Sequence, residues 1–167
     1  VQMKNVNGKE DTAFTVQYDL SSPVKFDLTY TGDDGKQHRT FVAHRSSIGS
    51  IERTMAFLIE KYAGAFPLWL SPVQVRILPV SEKHNEYAQN TLAQLQEAGV
   101  RAEIDADDSL GKRIRQSKID KVPYTLVIGD KEVEANTATV EGRDGGKEVL
   151  AIPALVEKLK SQIASRS

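Results

Sequence analysis

Apolar side chains return at every second position near the start of the chain. Thr12, Phe14, Val16, Tyr18 and Leu20 alternate with Thr15, Gln17 and Asp19, which is the period of a β-strand. Phe26, Leu28 and Tyr30 repeat it, Gly32-Asp33-Asp34-Gly35 supplies a turn, and Phe41-Val42-Ala43 begins another strand. A hairpin across residues 25–45 is expected. Past Ser50 the period changes. Ile51, Met55, Leu58, Ile59 and Tyr62 recur at spacings of three and four, predicting a helix that Ser50 caps.

Gly64-Ala65-Phe66-Pro67-Leu68-Trp69-Leu70-Ser71-Pro72 interrupts this pattern. Its glycine and prolines stop the helix, and its Phe, Trp and Leu predict a connector that packs on something. Strands and helices then alternate. Residues 73–80 read as a buried strand, and 86–98 as a helix with Tyr87, Thr91, Leu92 and Leu95 on one face, ended by Gly99. A short strand is expected at 100–104, a helix carrying Ile114 and Ile119 at 110–121, and a strand at 124–128 that stops at a Gly129-Asp130 turn. Val133 and residues 137–141 suggest a closing hairpin, and Pro153 opens a last helix with Leu155, Val156, Leu159 and Ile163. The expected class is α/β, its sheet largely parallel at the start. The domains are placed at residues 1–71 and 72–167.

Composition narrows the classes of function. The 167 residues hold no cysteine, which excludes a disulfide framework, a cysteine-ligated metal centre and a thiol nucleophile. Lack of disulfides fits a reducing compartment such as the cytoplasm. The net charge of -1 argues against a uniformly basic surface but leaves room for a local patch. No apolar run reaches the roughly 20 residues of a membrane-spanning helix. The chain begins at Val1 in a strand-like segment, as expected of part of a longer polypeptide.

Two stretches carry candidate chemistry. In 44–53, Gly49-Ser50 opens a helix whose free N–H groups suit an anion, and the Arg53 guanidinium one turn on suits phosphate oxygens. The competing reading is a plain helix cap, with Arg53 paired to Glu52 or Glu60. His44, without partners in the sequence, holds no metal alone. In 112–121, Lys112, Arg113, Arg115, Lys118 and Lys121 accompany one acid, Asp120. Arg115, Lys118 and Lys121 recur at i+3 and are expected on one helix face, either solvated or set against RNA phosphates. The acids Asp105, Asp107 and Asp108 precede them, and His38 and His84 read as surface residues.

The segment His44-Arg45-Ser46-Ser47-Ile48-Gly49-Ser50-Ile51-Glu52-Arg53 resembles motif 3 of class II aminoacyl-tRNA synthetases, in the form found in threonyl-tRNA synthetases. The likeness continues through residues 63–75, Lys121-Val122-Pro123-Tyr124 and Gly129-Asp130-Lys131-Glu132-Val133-Glu134. Upstream it includes 15–20 and 23–30, so essentially the whole chain is covered. It implies an antiparallel partial catalytic sheet with the motif 3 helix, followed by an anticodon-binding domain whose mixed sheet is flanked by helices. The implied parent activates threonine with ATP and Mg2+, transfers it to threonine tRNA, and is a homodimer.

By the same resemblance, Arg53 would grip the nucleotide phosphates, Gly49 and Ser50 would border the adenosine, and Gln17 would lie beside the substrate. His44 would be one ligand of a zinc ion whose other ligands lie outside these residues. Glu132 would read an anticodon base, with Asp108, Arg115, Lys118, Lys121 and Arg143 as further tRNA contacts. Some positions depart from the family. Phe14 stands for a small residue, Thr40 for a proline, Asp108 for an asparagine and Glu141 for a basic residue, with Arg143 as a compensating cation. The expected function is the C-terminal part of a threonine–tRNA ligase that keeps anticodon binding and is inactive alone. The alternative is a stand-alone RNA- or protein-binding module. A flavodoxin- or thioredoxin-like binder is disfavoured, because cysteine is missing and no Gly-rich loop follows the 73–80 strand.

Overall fold

A computed structural model describes residues 1–166. The chain divides into two compact units, Val1–Ala63 and Gly64–Ser167. The division precedes the expected Pro72 boundary because the connector belongs to the second unit. Its residues Leu68–Leu70 form a 3-10 turn, and Leu68 is buried in that unit's core. Buried Gln74 fixes the turn by donating to the Leu68 carbonyl at 2.8 Å, and Arg101 donates to the carbonyls of Trp69 and Ser71.

The first unit consists of short ladders. Strands β1 (Gln2–Lys4) and β2 (Glu10–Thr12) pair antiparallel, as do β3 (Val16–Asp19) and β6 (Val42–Arg45), and β4 (Thr29–Thr31) and β5 (Gln37–Arg39). The expected antiparallel sheet is therefore three separate two-stranded ladders, and the expected 25–45 hairpin is confined to β4 and β5. Between β3 and β4 the alternation gives way to a short helix, α1 (Ser21–Lys25). Asp19 accepts from the backbone N–H groups of Ser21 and Ser22, turning the chain into that helix. Helix α2 (Ile51–Tyr62) begins at Ser50, whose hydroxyl accepts from the Arg53 N–H.

The second unit is built on a five-stranded sheet in the order β11-β10-β9-β7-β8. Strands β7 (Val75–Pro79), β8 (Ala102–Ile104) and β9 (Tyr124–Ile128) run parallel, joined through α3 (Asn85–Glu97) and α4 (Leu110–Ile119). Strands β10 (Thr137–Gly142) and β11 (Lys147–Ala151) complete it antiparallel. Helix α6 (Ile152–Ser165) starts with Pro153 in its first turn, as expected.

Two details differ from the sequence reading here. Val133 lies in a short helix, α5 (Asp130–Ala135), not in a hairpin. The hairpin partner of β10 is β11, a strand the hydrophobic pattern left unmarked.

Strand pleating sorts the side chains into two faces. On one, Val75, Ile77, Leu126, Ile128, Ala138 and Val140 pack against Ala88 and Leu95 of α3 and Ile152, Leu155 and Leu159 of α6. Each Val, Leu or Ile among them contributes about 1.5–3 kcal/mol on burial, so this face carries most of the apolar stabilisation of the unit. The other face mixes apolar residues, among them fully buried Leu78, with a set of polar ones.

Candidate nucleic-acid interface

Register places a polar row across all five strands of that second face. Glu103 of β8 stands opposite Arg76 of β7, Arg76 opposite Thr125 of β9, Thr125 opposite Glu141 of β10, and Glu141 opposite Lys147 of β11. Helix α4 covers the β7 end of the row with buried Arg113 and Ser117. Arg76 is held there between Glu103 and Asp120, each at 2.7 Å. Toward β11 the face opens. Lys147 is 63% exposed on its side chain, and its same-face neighbour Val149 is also 63% exposed.

Glu141 organises the open half. Its carboxylate is buried, yet it binds Lys118 of α4 at 2.9 Å and Lys147 of β11 at 3.2 Å, both ammonium groups being exposed. Bonding from Lys118 and then Lys147 outweighs burial and lowers its pKa below the ordinary glutamate range. Two residues back on β10 and on the same face, about 7 Å away along the strand, is Thr139. Its hydroxyl donates to Glu132 Oε1 at 2.7 Å, while Glu132 Oε2 accepts the Gly129 N–H at 2.9 Å. The Thr139 bond leads the causes that lower the Glu132 pKa, so the group is a carboxylate at neutral pH. Each of its oxygens keeps a second lone pair.

The expected tRNA contacts therefore separate. Glu132 and Lys118 share the open face. Lys121 does not share a helix face with Arg115 and Lys118, because α4 ends at Ile119 and Lys121 turns left-handed at φ 57°. Arg143 is a strap, donating to the carbonyls of Phe66 at 2.9 Å and Lys121 at 2.6 Å, and desolvation lowers its pKa. Asp108 pairs with Lys112 at 3.0 Å. With Asp105, Arg115 and Ile119 it lines a separate groove of about 440 Å³ beside α4. Ile119, one of the two apolar residues that mark the expected helix, is 58% exposed, and Arg113 is buried. Its guanidinium donates to the carbonyls of Pro79 and Asp105.

Sequence reasoning missed two residues here. Lys147 lies in the unmarked strand. His84, expected at the surface, is buried and reaches Asp130, a partner 46 residues away. His38 is half-exposed but paired, its ring meeting Asp34 at 2.9 Å.

In the first unit, register sets Gln17 directly opposite His44, and both line one shallow cavity with Thr15, Arg45 and Ser46. His44 Nε2 lies 3.0 Å from Asp19 Oδ2. The Ser22 hydroxyl is the largest cause holding the Asp19 carboxyl far below its usual range, followed by the Ser22 N–H and His44. Among the described residues no three His, Asp or Glu side chains gather where a metal could sit. A zinc site takes three or four protein ligands, and the His44–Asp19 pair offers two.

Arg53 donates to the Thr12 carbonyl at 3.2 Å, pairing with neither Glu52 nor Glu60, and Glu52 accepts from the Ser50 hydroxyl. Gly49 has a local duty. Its φ is 71°, and a Cβ there would stand 2.2 Å from the Ala13 carbonyl oxygen.

A mixed five-stranded sheet flanked by helices defines a small α/β domain. The chain belongs to the anticodon-binding domain family, whose model it matches over residues 74–162. It is 46% identical over 168 residues to a threonine–tRNA ligase of Clostridium botulinum, covering 99% of this chain and 26% of that protein. It is 53% identical over 142 residues to a threonine–tRNA ligase of Halalkalibacterium halodurans, covering 84% and 22%. The chain thus spans about a quarter of the length of these curated relatives. Its fold matches the RNA-binding domain of threonyl-tRNA synthetase from Cryptosporidium parvum with a TM-score of 0.79 and 32% identity, over 96% of this chain and 41% of that one. Prolyl-tRNA synthetase of the same organism shares the fold, with a TM-score of 0.70 at 20% identity, over 95% of this chain and 38% of that one. No helix among the described residues is long and apolar enough to cross a membrane.

Proposed function

We propose that this chain is the C-terminal, tRNA-recognising part of a threonine–tRNA ligase, and that its second unit binds the anticodon arm. One observation carries the reading. Glu132, bonded to Thr139 of β10, and the Lys118–Glu141–Lys147 cluster gather around two same-face positions of β10, beside the exposed edge strand β11. The free lone pairs of Glu132 accept from a base amino group, which specifies sequence. The two ammonium groups meet phosphates, which supply affinity without sequence information. Threonine, ATP with Mg2+, zinc and a homodimeric partner belong to the whole ligase in this reading. Gln17, Arg53, Gly49, Ser50 and His44 are its share of that ligase's substrate site.

The test is a titration of the 167-residue chain with a threonine tRNA transcript at two salt concentrations, repeated with the anticodon replaced. Affinity should fall as salt rises, by a slope of roughly 0.7–0.9 per phosphate neutralised, and should drop again on anticodon replacement. Equal affinity for both transcripts would remove the anticodon reading. The chain alone is expected to catalyse no threonine-dependent ATP–pyrophosphate exchange, and measurable exchange would show that it activates threonine.

A further inference from the structure

Helix α5 carries Glu132 yet buries no residue of its own. Apolar packing therefore does little to hold it, and its place on the sheet depends on polar ties. The first turn of α3 and the residue just before it supply them, one at each end. At the far end, the Tyr87 hydroxyl meets Asn136 Oδ1 at 3.3 Å and donates to the Thr137 carbonyl at 3.0 Å. At the near end stands His84, its side chain 4% exposed.

The bonds of His84 define its tautomer. Nδ1 accepts the Ser81 backbone N–H at 3.1 Å, a donor that has no alternative role, so the ring proton sits on Nε2. Nε2 then donates to Asp130 Oδ1 at 3.1 Å, and Lys83 holds the same carboxylate at 2.6 Å. Asp130 is the first residue of α5, two before Glu132. The ring thus bridges the corner after β7 to the corner after β9. These are neighbouring parallel strands, and their ladder extends to that point through the Val80 N–H and the Ile128 carbonyl at 2.8 Å.

We propose that His84 is a positioning residue for Glu132: through Asp130 it fixes the start of α5 and so aims the Glu132 carboxylate at the base it reads. The proposal rests on the anticodon reading above. A buried group serving only stability would affect every RNA alike, whereas a positioning group acts on discrimination.

The experiment uses the full 167-residue chain and its His84→Ala, His84→Gln and Asp130→Ala variants. Each is titrated with the anticodon stem–loop of threonine tRNA and with loops carrying single anticodon substitutions, and amide exchange is followed at Gly129 and Glu132. His84→Ala and Asp130→Ala should lower discrimination on the order of tenfold, as expected for one misplaced base contact, and speed exchange at both amides. His84→Gln keeps one acceptor and one donor and should restore both readouts.

Unchanged discrimination with unchanged exchange would overturn the proposal, as would a uniform loss of affinity with discrimination intact. If His84→Ala fails to fold, Asp130→Ala, altered at a side chain 65% exposed, decides between these outcomes. If the unmodified chain shows no discrimination, the anticodon reading fails. In that case unchanged exchange in the variants also overturns the His84–Asp130 tie, and accelerated exchange upholds it as a device for placing α5.

Discussion

Arg143 shows how a cation's charge and its task can diverge. Resemblance places it among the tRNA contacts, but its guanidinium spans the carbonyls of Phe66 and Lys121, tying the connector to the turn before β9. Hydrogen bonds from a charged donor contribute roughly 1.5–3 kcal/mol each when the acceptor is otherwise stranded. With partial exposure as a discount, Arg143→Ala should cost the second unit about 2 kcal/mol, read as a lower midpoint in urea unfolding. Its effect on tRNA affinity should be smaller than that of Lys118→Gln. An unshifted midpoint together with a larger loss of affinity would return Arg143 to the interface. Nothing in the local sequence separates these tasks, because the acceptors are backbone carbonyls at positions 66 and 121. The same holds for His84, which looks like any surface histidine between Lys83 and Asn85 until the fold brings up Asp130. Glu132 is singled out only through resemblance, since its bond to Thr139 crosses from a helix to a strand.

Among the elements, those with dense apolar periodicity were readable and those held by polar ties were not. Strands β7 and β9 and helices α3 and α6 announce themselves because burial dictates their residues. Helix α5 offers a single large apolar residue, Val133, so no period exists to detect. Strand β11 is a sheet edge whose Val149 points to solvent, and only its pairing with β10 defines it. In the first unit, Asp19 and its bonds to Ser21 and Ser22 end the strand alternation before Leu20 can continue it.

The polar row across the sheet carries an acid-dependent prediction. Lys118, then Lys147, lower the Glu141 pKa, and Arg76 leads the causes lowering that of Asp120. A depressed folded-state pKa stabilises the protein fully above the ordinary carboxylate value, and that stability is lost as pH falls through the folded value. Titration of these groups should therefore leave the thermal midpoint of the second unit unchanged with pH above about pH 5 and lower it below that. Glu141→Gln should lower the midpoint at pH 7 and make the acid decline shallower. A decline identical to that of the unmodified chain would show that the row contributes nothing to acid sensitivity.

At the scale of the whole molecule, the two units are held together by different means. The second has a contiguous core of thirteen buried residues, Leu68 to Leu159, spanning strands, helices and connector. The first buries only Pro23 and leaves Tyr18, Leu20, Phe26, Phe41 and Ile51 at least 60% exposed. Apolar burial is the main favourable term in folding, so autonomous stability belongs to the second unit. The residues to which the proposal gives RNA contacts also lie there: Lys118, Glu132 and Lys147, with Glu141, His84 and Asp130 behind them. A polypeptide of residues 64–167 should therefore unfold in one cooperative transition and bind the threonine anticodon stem–loop within about threefold of the full chain's affinity, a difference below 1 kcal/mol. Limited proteolysis of the full chain should leave a resistant product beginning near Gly64, while residues 1–63 are digested. Calorimetry on the shorter polypeptide, mass spectrometry of the digest and a parallel titration test the three expectations separately. A non-cooperative 64–167 polypeptide would mean that the buried core needs the first unit to form. A cooperative one that had lost its RNA affinity would mean instead that the interface extends into residues 1–63, beyond the open face around Glu141.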